Sequence, residues 1–158
     1  MTILQRMKGD NDMSVMNGMN ISASGMTAQR LRLDIISQNI ANVNTTRDAN
    51  GNAYKRKMVT FAEKNVTPFG DVLMKTAGTA GSGVKVTQIS EDNEAAMRKV
   101  YDPSHPDADD EGYVTYSNVN VVQEMTDLID ATRSYEANVT VFNASKSMAL
   151  KGLEVGKR

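Results

Sequence analysis

In this chain of 158 residues, those best equipped for chemistry lie in one acidic stretch, Asp102-Pro103-Ser104-His105-Pro106-Asp107-Ala108-Asp109-Asp110-Glu111-Gly112. His105 is the sole histidine, and five carboxylates surround it, a donor set that hard cations favour. From Asp107 the spacing D-x-D-x-E-G matches the first half of a calcium loop. The bidentate glutamate that completes such a loop should fall at position 118, where the chain has Asn118. The match fails where affinity is made, and a solvated turn with His105 packed locally is the better account.

Other chemistry finds less support. The glycine-rich Ala77–Gly83 stretch lacks the Lys-Ser/Thr pair of a phosphate loop and the G-x-G-x-x-G spacing of a dinucleotide turn, and reads as a mobile connection. Serines are plentiful, but no G-x-S-x-G elbow occurs and the lone histidine sits in a Pro-flanked loop. Asp127 and Asp130 are expected to face solvent on a helix, where no desolvation splits their pKa values into acid and base. The run Lys55-Arg56-Lys57 in a chain of 18 basic and 19 acidic residues is a solvated strand edge rather than a nucleic-acid site. Five N-x-S/T sequons begin at Asn20, Asn44, Asn65, Asn138 and Asn143, two of them inside the expected last helix, so glycosylation is a poor reading. With no cysteine, disulfides and thiolate metal sites are excluded. No catalytic residue, metal ligand or cofactor is assigned, and an enzyme is not expected.

The elements that hold these residues are more informative. From Val121, steps of four and three give Val121, Met125, Leu128, Thr132, Tyr135, Val139, Phe142, Lys146, Ala149 and Leu153, mostly apolar. This is heptad spacing kept for more than four heptads, with Glu124, Asp127, Asp130, Arg133, Glu136, Asn138 and Lys151 on its polar flanks. Such a helix runs roughly 50 Å at about 1.5 Å per residue. A seam that long exceeds what a chain this small buries, so it must face another helix. An earlier helix is predicted from Ile21 or Ser22 to Val43, capped by Ser22 or Ser24. Its apolar rows are Ala28, Leu31, Ile35 and Leu33, Ile36, Ile40, Val43. It should stop at Asn42–Thr46, where asparagine tolerates a left-handed backbone.

Between the helices, strands are expected at Tyr54–Phe61, Gly83–Ile89, Ala95–Tyr101 and Tyr113–Tyr116, with turns at 47–53 and 67–71. Asn120 and Gln123 resemble a capping box before the long helix. The organisation expected is an extension over 1–18, expected to be disordered, then an amino-terminal helix over 19–46. A β-rich module over 47–117 and a carboxy-terminal helix over 118–158 follow. The fold class is α+β. No run of about 18 apolar residues occurs, and Met1–Gly18 has Arg6 and Lys8 but no apolar core of a secretory signal. Eleven methionines suit adaptable helix–helix packing.

Several separated motifs resemble bacterial flagellar rod and hook proteins, and within them the proximal-rod type. They are Asn39-Ile40-Ala41-Asn42-Val43-Asn44-Thr45, then Thr46-Arg47, Tyr54-Lys55-Arg56-Lys57, the acidic loop 102–109, Gly112-Tyr113-Val114, Asn118–Met125 and Tyr135–Val139. The resemblance runs from about Met13 to the end and leaves the first residues unexplained. It implies a structural subunit of the rod that crosses the periplasm and cell wall, transmits torque and encloses the export channel. It also implies export by the flagellar type III apparatus without a cleaved signal peptide. The terminal helices would pair as an antiparallel coiled coil, with the β-rich module between them in sequence. Implied partners are further copies, the other rod proteins FlgB, FlgF and FlgG, the rod adaptor FliE and the flagellar export apparatus. Assembly contacts are expected at Leu31, Leu33, Ile36, Ile40, Asn42, Val43, Val121, Met125, Leu128, Tyr135, Val139 and Phe142. A coiled-coil adaptor or chaperone of a type III secretion system would share the seams and is the competing expectation.

Overall fold

The computed structural model describes residues 3–48, 51–64 and 83–156, with side chains from residue 15 onward. The turn expected at 67–71, the sequon at Asn65 and the glycine-rich residues 77–82 lie outside that set. Two long helices, α1 (Ile3–Ala41) and α2 (Val121–Val155), flank four strands, β1 (Lys57–Glu63), β2 (Val84–Glu91), β3 (Arg98–Tyr101) and β4 (Tyr113–Tyr116). β1 pairs with β2, and β3 with β4, as separate two-stranded sheets. The fold is α+β, with the two helices packed against each other.

The start of α1 differs from expectation. The helix begins at Ile3, so the stretch 3–18 expected as an extension is helical and runs without a break into the segment that follows. No proline interrupts it, and Leu4, Gln5, Arg6, Met7 and Lys8 are good helix formers. Ser22 and Ser24 consequently cap nothing; their hydroxyls donate back to Gly18 O (3.0 Å) and Ile21 O (2.7 Å) within the helix. At the other end no asparagine is left-handed, because positive φ is confined to glycines among the described residues. The helix closes instead through Val43 N donating to Ile40 O (3.4 Å) and Thr45 N to Asn42 O (3.1 Å).

The chain divides into two compact units, one of residues 1–30, 61–86 and 133–158, the other of 31–60 and 87–132. In the first, small residues of α1 meet polar residues of α2. Ser22 and Ala28 are buried on α1, Ser145 on α2, and a Cβ added at Gly25 would lie 3.1 Å from the Asn138 side chain. Gly83, with φ of 105°, brings Val84 N to Ser24 Oγ at 3.0 Å. Lys64 N donates to Gly83 O (2.8 Å), closing that end of the β1–β2 pair.

The second unit buries Ile35, Ile36 and Asn39 of α1, Val114 of β4, and Val119, Glu124 and Ala131. Asp92 N donates to Arg56 O (2.8 Å) at the opposite end of the β1–β2 pair, so the pairing is antiparallel. β3 and β4 are antiparallel too, with Arg98 opposite Tyr116 and Tyr101 opposite Tyr113. Asn120 caps α2 by accepting from Val122 N and Gln123 N. The reciprocal half of the expected capping box is not used: the Gln123 amide donates to Asp127. Helix polarity follows from one contact in each unit. Gly25 lies by Asn138 in the first and Asn39 by Glu124 in the second, so the helices run antiparallel.

The heptad row on α2 is half as expected. Leu128, Tyr135, Phe142 and Ala149 are half-buried. In the alternate row Thr132 and Val139 are also half-buried, but Met125 and Lys146 are exposed, and the residues just before go deepest: Glu124, Ala131 and Ser145 are buried and Asn138 is half-buried. Small side chains allow close helix approach, and the one carboxylate is fully hydrogen-bonded. The apolar residues beside the row remain outside: Val122 is 75% exposed, Met125 56% and Ile129 55%.

Candidate functional site: a buried polar lock and an exposed apolar face

Asn39 is 1% exposed, yet each side-chain polar atom has two partners. Its Oδ1 accepts from Lys57 N (2.9 Å) and Tyr54 Oη (3.0 Å), and its Nδ2 donates to Lys57 O and Glu124 Oε2, each at 2.9 Å. The amide therefore pairs with both backbone groups of Lys57 as a neighbouring strand would, tying the start of β1 to α1. Because Lys57 supplies one donor and one acceptor, the amide has a single orientation.

Glu124 is wholly buried, and both oxygens accept: Oε2 from Asn39, Oε1 from Arg56 Nε at 2.6 Å. Arg56 also reaches Asp127 Oδ2 from Nη2 at 3.3 Å. A buried carboxylate is tolerated only when paired and hydrogen-bonded, and here it is both. Asn118 completes the knot. Its Oδ1 accepts from Arg56 N (2.8 Å), and its Nδ2 donates to Asp92 O (3.0 Å) and Ala95 O (3.3 Å). One polar network thus joins α1, β1, the segment before α2, and α2.

Three expectations are corrected by this geometry. Glu124 was placed on the polar flank of α2 and is instead its most buried side chain. Asp127 was expected in solvent and is half-buried on Arg56. Lys55-Arg56-Lys57 is likewise more than a solvated strand edge, since Arg56 carries the ion pairs. The signal available in sequence was an acidic residue one step from an apolar heptad position, which periodicity alone assigns to the surface.

The acidic loop is a turn bonded within itself and to Thr46 and Arg47. Thr46 Oγ1 donates to Asp107 Oδ2 (2.7 Å), Arg47 Nε lies 3.3 Å from Asp107 Oδ1, and Asp107 N donates to His105 Nδ1 (3.1 Å). Ser104, through its hydroxyl and its backbone N–H, holds the Asp102 carboxyl below the usual carboxylate range. Backbone N–H groups of Ala95 and Glu94 do the same for Asp92. Burial, then the charges of Glu124 and Glu91, push the Tyr54 hydroxyl up. Among the described residues no group of three or more His, Asp or Glu side chains could hold a metal ion.

The expected assembly residues fall into three environments. Ile36 is buried inside its unit. Leu31, Leu33, Ile40, Asn42, Val43, Leu128, Tyr135, Val139 and Phe142 are half-buried, while Val121 and Met125 are exposed. Asn42 is locally engaged, donating to Gln38 O and accepting from Thr45 Oγ1. Among the described residues no helix is long and apolar enough to cross a membrane.

Comparison with known proteins finds two family models, one at each end of the chain. The family model described as flagella basal body rod protein matches residues 19–47, which hold Asn39. That described as flagellar basal body rod FlgEFG protein C-terminal matches residues 110–155, which hold Glu124. The flagellar basal-body rod protein FlgC of Bacillus subtilis is 48% identical over 152 residues, covering 92% of this chain and all of the relative. Those of Borreliella burgdorferi and Escherichia coli O6:H1 are 43% and 40% identical, over 90% and 92% of this chain and 98% and 100% of theirs. With near-complete coverage of both partners at such identity, the chain belongs to the flagellar basal-body rod protein FlgC family.

Proposed function

We propose that this chain is a structural subunit of the proximal rod of the flagellar basal body, acting through assembly and not through catalysis. The observation that carries the reading is the exposed apolar face of α2, formed by Val121, Val122, Met125 and Ile129 beside the buried polar row. These four residues fall within about 100° of one another on the helix, at i, i+1, i+4 and i+8. Apolar surface so concentrated marks a contact with another macromolecule. The neighbours would be further copies, the rod proteins FlgB, FlgF and FlgG and the adaptor FliE, after export without a cleaved signal peptide to the rod that crosses the periplasm. There the packed helices would transmit torque and surround the export channel. Of the twelve assembly positions, Val121 and Met125 offer the most surface; the half-buried ones would complete contacts at their exposed edges.

The test is incorporation. A tagged chain supplied to a flagellated bacterium lacking its own copy should fractionate with isolated basal bodies and restore swimming. Met125→Asp should be missing from basal bodies, while the purified variant keeps the circular dichroism and melting of the unsubstituted chain. Recovery of the unsubstituted chain only as a stable soluble oligomer would point instead to a type III secretion adaptor or chaperone.

A further inference from the structure

A cavity of about 200 Å³ opens beside the Asn39–Glu124 contact, bordered by Arg32, Arg56, Lys57, Glu124, Asp127 and apolar side chains that include Ile36. Its charge is unequal. Both carboxylates are bound by Arg56, whereas Arg32 and Lys57 have no ion pair among the described residues; the Lys57 ammonium lies 5.7 Å from the Tyr54 ring centroid. Three cations therefore face two anions, and the excess sits on Arg32 and Lys57. The volume is below the about 300–1,000 Å³ of pockets that take small-molecule ligands. It suits an inserted side-chain tip, and a carboxylate matches both the excess charge and the guanidinium fork.

The chain carries such a group on a fixed support. In the turn between β3 and β4, Asp109 is used internally, its Oδ1 accepting from Glu111 N (3.0 Å) and Tyr113 N (2.8 Å). Asp110 and Glu111 are exposed and make no ion pair among the described residues, with Arg32 and Lys57 or with any other cation. Gly112, at φ of 82°, permits the turn; a Cβ there would lie 2.9 Å from the Tyr101 ring. Tyr101 in turn packs edge-on against Tyr113 at 5.3 Å. A turn held this firmly loses little freedom when it docks.

We infer that the Asp110–Glu111 tip of one copy inserts into the Arg32–Lys57 cavity of the next copy. The inference rests on the rod-subunit reading and gives it a residue-level homotypic contact. Because the two patches differ, the contact is heterologous and propagates around a helical assembly instead of closing a dimer.

The cysteine-free chain allows a direct test. A full-length chain carrying Arg32→Cys and Asp110→Cys, incorporated into basal bodies and oxidised, should give a ladder of disulfide-linked copies absent from either single variant. Arg32→Glu should lower incorporation about tenfold, the loss of one well-formed charged contact. Adding Asp110→Arg and Glu111→Arg to it should restore incorporation. An incorporated double-cysteine chain that yields no ladder, or that links to a different protein, overturns the assignment, as does normal incorporation of Arg32→Glu. Those outcomes leave the rod reading standing. Absence of the unsubstituted chain from basal bodies overturns the rod reading, and the inference with it.

Discussion

Replacing Glu124 by glutamine is the most discriminating perturbation of the buried lock. Both carboxylate oxygens accept from donors, Asn39 Nδ2 at 2.9 Å and Arg56 Nε at 2.6 Å. A glutamine amide must turn its NH2 towards one of them. Asn39 cannot flip to compensate, because its Oδ1 already accepts from Lys57 N and Tyr54 Oη. A hydrogen bond to a charged group contributes about 1.5–3 kcal/mol, so the isosteric Glu124→Gln should cost about 2 kcal/mol. Glu124→Ala loses both bonds. Breaking a buried ion pair costs about 3–5 kcal/mol. Arg56 is 23% exposed and retains Asp127, which places the alanine cost at the lower limit, about 3 kcal/mol. The assay is urea unfolding of the purified full chain at neutral pH, followed by helix circular dichroism. A glutamine variant as stable as the unsubstituted chain would refute the two-donor geometry. A double-mutant cycle with Asn39→Ala should return a coupling of about 1 kcal/mol or more, and additivity would remove the direct bond.

Gly83→Ala should cost about 2 kcal/mol or more, since φ is 105° and the new Cβ would collide with the Ser24 hydroxyl; the melting temperature reads this out. Tyr54→Phe should lose about 1 kcal/mol at neutral pH through its bond to Asn39. The raised folded pKa of Tyr54 means its contribution is complete below the ordinary value near 10 and is lost as pH rises through the folded value. Stability of the unsubstituted chain should therefore fall more steeply above that pH than stability of Tyr54→Phe. Asp102 should titrate below 3.8 in a carbon-detected NMR titration and return towards 3.8 in Ser104→Ala, because Ser104 is its main partner. With the folded pKa depressed, any stability it lends is present above 3.8 and lost as pH falls through the folded value.

Much of the fold was legible because it rests on local signals. The heptad period of α2, the asparagine cap at its start and the four strands were all readable, β4 to the residue. The motifs that carry family membership were also visible, since Asn39, Tyr54–Lys57 and Asn118–Met125 stand in contiguous stretches. Residues 3–18 differ from expectation because Ser22 and Ser24 look like caps in sequence, whereas in the fold they lie inside a helix that already runs from Ile3. The phase of the seam was beyond reach of sequence alone. Periodicity ranks positions by apolarity, so it chose Met125 over Glu124 and Thr132 over Ala131. Tertiary structure reversed that order, because closest helix approach selects small residues and because Asn39 and Arg56 make a buried carboxylate tolerable. The displaced apolar side chains Val122, Met125 and Ile129 were left on the surface. Sequence determined that two long helices would pair around a β-rich middle and that the chain belongs with the flagellar rod proteins. Only the folded chain decided which face of α2 closes on α1 and which stays exposed, because burial follows close approach and hydrogen-bond satisfaction as well as apolarity.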